Sequence, residues 1–317
     1  MPKPAFWNNR KRYYDLKSYW RNAFGCNVFK LPIDAGFTCP NRDGKIAFGG
    51  CIYCDGRGSK LRQAGPLSSV AEQVRQGKAY YRKSRGAQKY IAYFQTFTNT
   101  YSPVVQLKTL YEEALDQEDV IGLSIGTRPD CVPDEVIALL QTYAEQYQVW
   151  LEFGLQSIHD RTLRFLNRGH SRDSFLDAVG RAAGKGLHIC VHIIIGLPGE
   201  TRRDMLDTAE ILAALPLQGV KIHALLALRG TVLGNLYEAG RITMMAREEY
   251  VRTVCDILEI LPSELVIQRL TADGYRDIFL GPQWAANKME VLNAIDREME
   301  RRDAYQGRRF TGNQNAS

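Results

Sequence analysis

The sequence predicts an α/β protein whose parallel strands curl into a full or partial barrel. Three observations carry that expectation. Apolar runs of strand length recur near 28–35, 89–96, 120–127, 148–156, 188–196 and 219–227, with helical patterns between them. Strands that alternate with helices imply right-handed βαβ units and hence a parallel sheet. The runs are continuously apolar rather than alternating, as expected of strands covered on both faces.

Each element has its own local warrant. Ahead of the first run lies an aromatic and basic arm, residues 1–24, which has no apolar centre of the kind a secretory signal carries. Between the third and fourth runs, Val136, Leu139, Leu140, Tyr143 and Tyr147 recur at helical spacing, and Pro133, Asp134 and Glu135 mark the first turn. After the fifth run, Thr201 followed by Asp204 reads as a capping box, with Met205, Leu206, Ala209 and Leu212 as the buried stripe. The regular core is read as residues 25–240. Residues 241–306 form an irregular extension, with a helix near 246–260, a strand near 265–272 and a helix near 284–303. The polar stretch 307–317 reads as a mobile tail.

With 317 residues and 45% hydrophobic content, the chain can bury a sizeable core. No run of about 18 apolar residues suggests a membrane span, so a soluble, cytoplasmic protein is expected. Seven cysteines are an odd count without a signal sequence, which points to reduced thiols rather than a disulfide framework. The net charge of +6 is unevenly spread: between Gly56 and Tyr111 ten Lys or Arg residues face the single acid Glu72. Such asymmetry suggests a face that meets a polyanion.

The thiols of GFTCPNRDGKIAFGGCIYCDGRGSK are spaced as Cys39-x11-Cys51-x2-Cys54, directly after the first strand. A structural zinc site needs four ligands and usually shows a second short-spaced pair, which is missing here. Cys26 is a conceivable fourth ligand, but it precedes the strand. Three thiolates make chemical sense if one iron of a four-iron cubane stays open to a chelating ligand. Glycines at 36, 44, 49, 50, 56 and 58 allow the backbone to wrap closely around such a cluster.

These motifs resemble those of radical S-adenosylmethionine (SAM) enzymes with a long first cysteine spacing. The loop is similar to that of the Elongator catalytic subunit, and more closely to that of the bacterial YhcC/YtqA-type radical SAM proteins. GFTCPNRDG, GGCIYCD, YFQTFTNTY, GTRPDC, EFGLQS, LNRGH and HIIIGLPGET match that group in order, over residues 25–230. The resemblance implies a partial (β/α)6 TIM-like barrel of the radical SAM type, with Cys39, Cys51 and Cys54 on a [4Fe-4S] cluster. It also implies S-adenosyl-L-methionine as the second cofactor and an external flavodoxin- or ferredoxin-like electron donor. In a parallel barrel, functional groups gather at the C-terminal ends of the strands. By resemblance, Gln95, Thr96, Thr98 and Asn99 take the place of the motif that binds the SAM amino group, although the usual Gly-Gly-Glu is absent. Thr127, Arg128 and Asp130 become SAM-proximal, with Asp130 alternatively capping the helix that begins at Pro133. Glu152 and Gln156 share a strand face with Trp150 and approach the SAM ribose and carboxylate; a structural ion pair of Glu152 with Arg128 is the alternative. The backbone near Leu197 receives the adenine. His192, Lys221 and His223 face the barrel interior without an assigned role. Cys131, Cys190 and Cys255 read as small buried apolar residues, Cys131 lying beside the SAM segment.

Three functions are compatible with these residues. One is a tRNA-modifying enzyme acting on a wobble uridine, implied by the Elongator-like motifs and the basic segment. Another is a radical SAM oxidoreductase of a small metabolite. The third is a non-catalytic, metal-containing RNA-binding module. For the first, the helix after the cysteine loop supplies a surface: Val70, Val74 and Tyr81 form its apolar face, while Arg75, Lys78, Arg82 and Arg85 form a cationic stripe for tRNA. Tyr80, Tyr81 and Tyr90 stand nearby as aromatics that could stack on bases. The shortage of acids argues against ion pairs within this helix.

Overall fold

The computed structural model describes residues 4–7, 11–56, 67–272, 274 and 276–312. The chain opens with α1 (Leu16–Phe24), β1 (Val28–Ile33), α2 (Val70–Arg85), β2 (Lys89–Phe94), α3 (Val104–Leu115) and β3 (Val120–Thr127). It continues through α4 (Asp134–Ala144), β4 (Gln148–Gln156), α5 (Asp160–Phe165), α6 (Arg172–Ala182), β5 (His188–Ile195), α7 (Arg202–Ala213) and β6 (Gly219–Ala224). The last part holds β7 (Ala227–Leu228), α8 (Val232–Glu238), α9 (Arg247–Ile260), β8 (Val266–Arg269), β9 (Phe279–Gly281) and α10 (Lys288–Arg301).

Seven strands form one parallel sheet in the order β1-β2-β3-β4-β5-β6-β8. The six alternating strands of the partial barrel are therefore joined by a seventh, which comes from the 241–306 stretch and pairs Val266 with Gly219. The sheet curls but does not close. Its edges, β1 and β8, face one another across a seam. Helix α1, within the segment read as an irregular arm, packs on both edges. Asp15 caps α1 by accepting from the Ser18 N–H, and it also bridges to Ile267 of β8.

Strand periodicity explains the two layers. On β4, Leu151, Phe153 and Leu155 point outward into the core shared with the helices, and Phe153 meets Phe175 of α6 edge-on at 6.4 Å. Trp150 and Glu152, one residue out of phase, point into the barrel. Trp150 closes its N-terminal end with Tyr19 and Trp20 of α1, at ring distances of 5.5 and 6.1 Å. The helix expected over 132–147 runs Asp134–Ala144 with Pro133 at its N-cap. The capping box at Thr201 and Asp204 is formed in both directions. Within the stretch read as a tail, Gly307 and Arg309 donate to the carbonyls of Leu258 and Glu259 on α9, and residues 313–317 lie outside the described residues. No helix among the described residues is long and apolar enough to cross a membrane.

Candidate functional site: a three-cysteine centre at the barrel rim

Every strand of the barrel delivers its C-terminal end to one rim, and the long β1–α2 loop folds over it. Short-range hydrogen bonds shape the loop. The Cys39 carbonyl accepts the Arg42 N–H at 2.8 Å, and the Cys51 carbonyl accepts the Cys54 N–H at 2.9 Å, each closing a tight turn. Long-range bonds fix it to the barrel: Thr98 N–H to Thr38, Ile52 N–H to Leu166, and Leu233 N–H to Ile52. Gly50 and Gly56 have φ of +85° and +75°, and a Cβ on either would come within 3.0 or 3.1 Å of the Arg42 guanidinium. Only glycine meets both demands there.

Cys39, Cys51 and Cys54 line one narrow cavity of about 200 Å³. All seven cysteines are free, and Cys26 stands near the other end of β1, in a different cavity. Three N–H donors point at the thiols: Asn41 Nδ2 and Arg168 Nη1 at 3.7 and 3.6 Å from Cys51 Sγ, and Arg42 Nη1 at 3.8 Å from Cys54 Sγ. Among the described residues, the groups with three ligand atoms mutually within 4.8 Å are Glu152–Cys190–His192 and His159–Asp204–Asp207; the three cysteines are not such a group. Thiolates sharing one tetrahedral zinc, each about 2.3 Å from the metal, would lie under roughly 4 Å apart. The wider spacing, the three-thiolate donor set and the sulfur-directed N–H groups fit a multi-iron cluster.

The same cavity is lined by Gln95, Thr98, Thr127, Arg128, Glu152 and Gln156. Gln156 and Phe97, both on its wall, have φ of +78° and +63°, a strained conformation for residues with a side chain and one that gathers at functional sites. The other residues singled out in the sequence are adjacent. Thr96 is buried, and Asn99 spends its amide on the Gly126 carbonyl at 2.8 Å. Asp130 does not cap α4. It makes a two-pronged ion pair with Arg128 at 2.9 and 2.8 Å, while Arg128 also donates to the Arg168 carbonyl. Leu197 packs in an apolar cluster with Ile52 and Tyr53 of the cysteine loop. Cys131 lines a separate groove of about 990 Å³ on the outer side of the loop, and burial pushes its thiol up to about 12.

Below the cysteines, Glu152 is the centre of a charged cluster that the sequence only partly revealed. It is 0% exposed, yet its carboxylate meets Lys30 at 2.6 Å, His192 Nε2 at 2.8 Å, Lys221 and Ser124. The alternative pairing with Arg128 is thus replaced by two lysines. Burial alone would raise the Glu152 carboxyl, but Lys221 and Lys30 outweigh it and hold it well below the usual carboxylate range. Burial lowers Lys30 to about 8 against the pull of Glu152. Burial and the Lys221 charge lower His192 to about 4, so a neutral imidazole donates to the carboxylate at neutral pH. With two ammonium groups on Glu152, the Glu152–Cys190–His192 trio is an ion-pair hub and not a cation site. Lys221 also reaches the Tyr93 hydroxyl at 3.0 Å.

Lys30 and Arg168 are among the residues of this site that the sequence analysis does not single out. Lys30 stands alone as a cation in the apolar strand VFKLPI, which was its signal. Arg168, in LNRGH, is 7% exposed and bonds the Gly154 carbonyl at 2.6 Å as well as the Cys51 sulfur. A Cβ at Gly154 would come within 2.7 Å of that guanidinium, so the glycine of EFGLQS is what admits it.

A partial parallel barrel with a three-cysteine loop over its C-terminal rim defines a class, the iron–sulfur enzymes that use SAM. The chain belongs to the radical SAM superfamily, whose model matches residues 39–212, followed by a Radical_SAM C-terminal domain at 217–301. It is 43% identical to YtqA of Bacillus subtilis over 96% of this chain and 94% of the relative. It is 38% identical to YhcC of Escherichia coli over 86% and 88%. Elongator complex protein 3 of Homo sapiens is 29% identical over 48% of this chain and 28% of its own length. Among solved structures, Elp3 of the archaeon Methanocaldococcus infernus superposes with a TM-score of 0.66 over 89% of this chain and 64% of that one, at 17% identity, a likeness of fold. The cofactors are accordingly a [4Fe-4S] cluster and SAM.

Proposed function

We propose that this enzyme acts on a wobble uridine of tRNA, with Cys39, Cys51 and Cys54 holding three irons of its cluster. When bound, the cluster would supply an electron, drawn from a flavodoxin- or ferredoxin-like donor, for the reductive cleavage of SAM that starts hydrogen abstraction from a substrate. The chain's own residues do the rest. Arg168, Asn41 and Arg42 donate to the cysteine sulfurs and set their electrostatics. Gln95, Thr98, Thr127, Arg128, Glu152 and Gln156 are the polar groups that would bind and orient SAM, with Thr96, Asn99, Asp130 and Leu197 supporting that wall from behind.

The observation that carries the RNA reading is the cationic surface of α2, which runs from the rim side at Val70 to the N-terminal end of the strands, where Arg82 meets Asp119 ahead of β3. On α2, Val70 and Val74 are buried and Tyr81 is half-buried, which leaves Arg75, Lys78, Arg82 and Arg85 on other faces. The scarcity of acids did not prevent pairing: Arg75 meets Glu72 at 2.6 Å, and Arg82 and Lys78 reach Asp119 from outside the helix at 3.0 and 4.0 Å. The Arg75 and Arg82 side chains are exposed, and such surface pairs contribute only about 0–1 kcal/mol, so phosphates can displace them, whereas the Lys78 side chain is largely buried. Arg57, Lys60 and Arg62 of the basic segment lie outside the described residues.

Anaerobic reconstitution with iron, sulfide, dithionite and SAM, with and without bulk tRNA, tests the proposal. It expects 5′-deoxyadenosine formation to rise with tRNA and a modified nucleoside to appear in the digested RNA. Turnover indifferent to tRNA would favour the small-metabolite oxidoreductase.

A further inference from the structure

The open seam between β1 and β8 holds a second cavity of about 720 Å³. Its outer rim is built by α1, its flank by the end of α2, and its inner end by Tyr93 and Gln95, which also line the cysteine cavity. The two spaces therefore meet at the same pair of side chains. The lining includes Lys17, Arg21, Lys30, Arg85, Lys221 and Arg269, and no carboxylate. Lys30 and Lys221, at the inner end, are committed to Glu152. Lys17, Arg21 and Arg85, at the outer end, are exposed and have no carboxylate partner among the described residues.

Three cations around one mouth repel one another, and among the described residues the lining holds no carboxylate to offset them. Such an arrangement is stabilised by an anion with several acceptor oxygens. Between rim and floor the wall is aromatic: Trp20 is buried, and Phe29 of β1 and Tyr81 of α2 lie stacked at 5.4 Å with 25° between their planes. A charged mouth, flat apolar walls and a polar floor together suit one chemical class, a nucleotide.

We infer that the β1–β8 seam is the port through which a nucleotide reaches the radical chemistry, its phosphate held by Lys17, Arg21 and Arg85 and its base passing inward toward Tyr93 and Gln95. The phosphate could belong to an RNA strand or to a free nucleotide. Its assignment to RNA rests on the function proposed above, whereas the port itself does not. Lys17 and Arg21 lie outside the α2 stripe, so the port joins α1 to that surface.

The test compares the reconstituted protein with Lys17→Ala, Arg21→Ala and Arg85→Ala, all at exposed positions where truncation is well tolerated. Circular dichroism and the cluster absorbance confirm folding, and Arg21→Lys keeps the charge. Two binding measurements are made with SAM present: uridine 5′-monophosphate against uridine, and bulk tRNA across a salt series. The port predicts that the monophosphate binds more tightly than the nucleoside and that each Ala variant loses most of that difference. For tRNA, each lost contact lowers the slope of log K against log salt by roughly 0.7 to 0.9. If the variants lose the monophosphate preference but the parent shows no salt-dependent tRNA binding, the port stands and the RNA reading fails. If all three variants keep both the preference and the tRNA salt slope of the parent, the port is overturned.

Discussion

Replacing Glu152 with Gln removes one charge from the barrel interior without changing the volume there. The wild-type carboxylate is 0% exposed and stands 2.6 Å from Lys30 and 2.8 Å from His192, with Lys221 on its second oxygen. Breaking a buried pair by removing one partner costs about 3–5 kcal/mol, because the other charge stays buried. Here two ammonium groups are left. At about 2 °C per kcal/mol for a chain of this size, the melting temperature at pH 7 should fall by roughly 6–10 °C. The deficit should also depend on pH. Lys30 sits at about 8 in the folded protein. That is below the roughly 10.4 of an unfolded chain, so the folded form binds fewer protons in between and stability rises with pH there. Without the Glu152 charge that window opens lower, and the variant should recover stability from pH 6 to pH 8. Toward acid the wild type loses the Glu152 contribution as pH falls below about 4.3, a step the variant lacks. Thermal unfolding followed by circular dichroism at pH 6, 7 and 8 reads all of this. A melting temperature within 2 °C of wild type, or a deficit equal at pH 6 and pH 8, would refute the ion-pair hub.

Other outcomes follow from the cysteine cavity. Ala at Cys39, Cys51 or Cys54 should abolish the cluster absorbance and SAM cleavage, whereas Cys26→Ala should leave both; loss of iron in Cys26→Ala alone would make a four-thiolate site the better description. Arg168→Gln removes the guanidinium from Cys51, so the cluster should assemble with a more negative reduction potential in an EPR-monitored titration; an unchanged potential would deny Arg168 that influence. Gln156→Gly relieves a positive φ at the cost of glycine's extra chain entropy, terms of similar size near 1 kcal/mol. Its melting temperature should therefore hold within about 2 °C while SAM affinity, read by equilibrium binding, falls; unaltered affinity would leave Gln156 a purely structural residue.

Much of the barrel was legible because its strands are buried on both faces. The apolar runs at 120–127 and 148–156 match β3 and β4 to the residue, and those near 28, 89 and 188 extend past the observed strands by one or two residues. The run at 219–227 merges β6 with the separate β7, since Leu225 and Leu226 between them are equally apolar. Helix α1 carries a helical signal of its own, Leu16, Tyr19, Trp20, Ala23 and Phe24 at helical spacing, but it is only nine residues long and lies in the segment read as an aromatic and basic arm. The spacing of Cys39, Cys51 and Cys54 pointed to a shared site, and the three do line one cavity. Their supports were not legible, because they depend on which long polar side chains fold inward. Lys30, Arg168 and Lys221 are separated by more than fifty residues each, and only the sheet order brings Lys30 and Lys221 onto one carboxylate. The ion pairs of Lys78 and Arg82 with Asp119 were hidden for the same reason: the acid comes from another element.

Three thiolates, and no fourth protein ligand, are expected to hold a cluster that cleaves SAM. The most direct test is one anaerobic preparation in which iron and zinc content, the EPR spectrum after dithionite and 5′-deoxyadenosine release are measured together for wild type and Cys51→Ala. About four irons per chain, a reduced-cluster signal that changes shape when SAM is added, and 5′-deoxyadenosine from wild type only are the expected results. Stoichiometric zinc in place of iron, or an iron cluster whose spectrum ignores SAM and which releases no 5′-deoxyadenosine, would contradict the account.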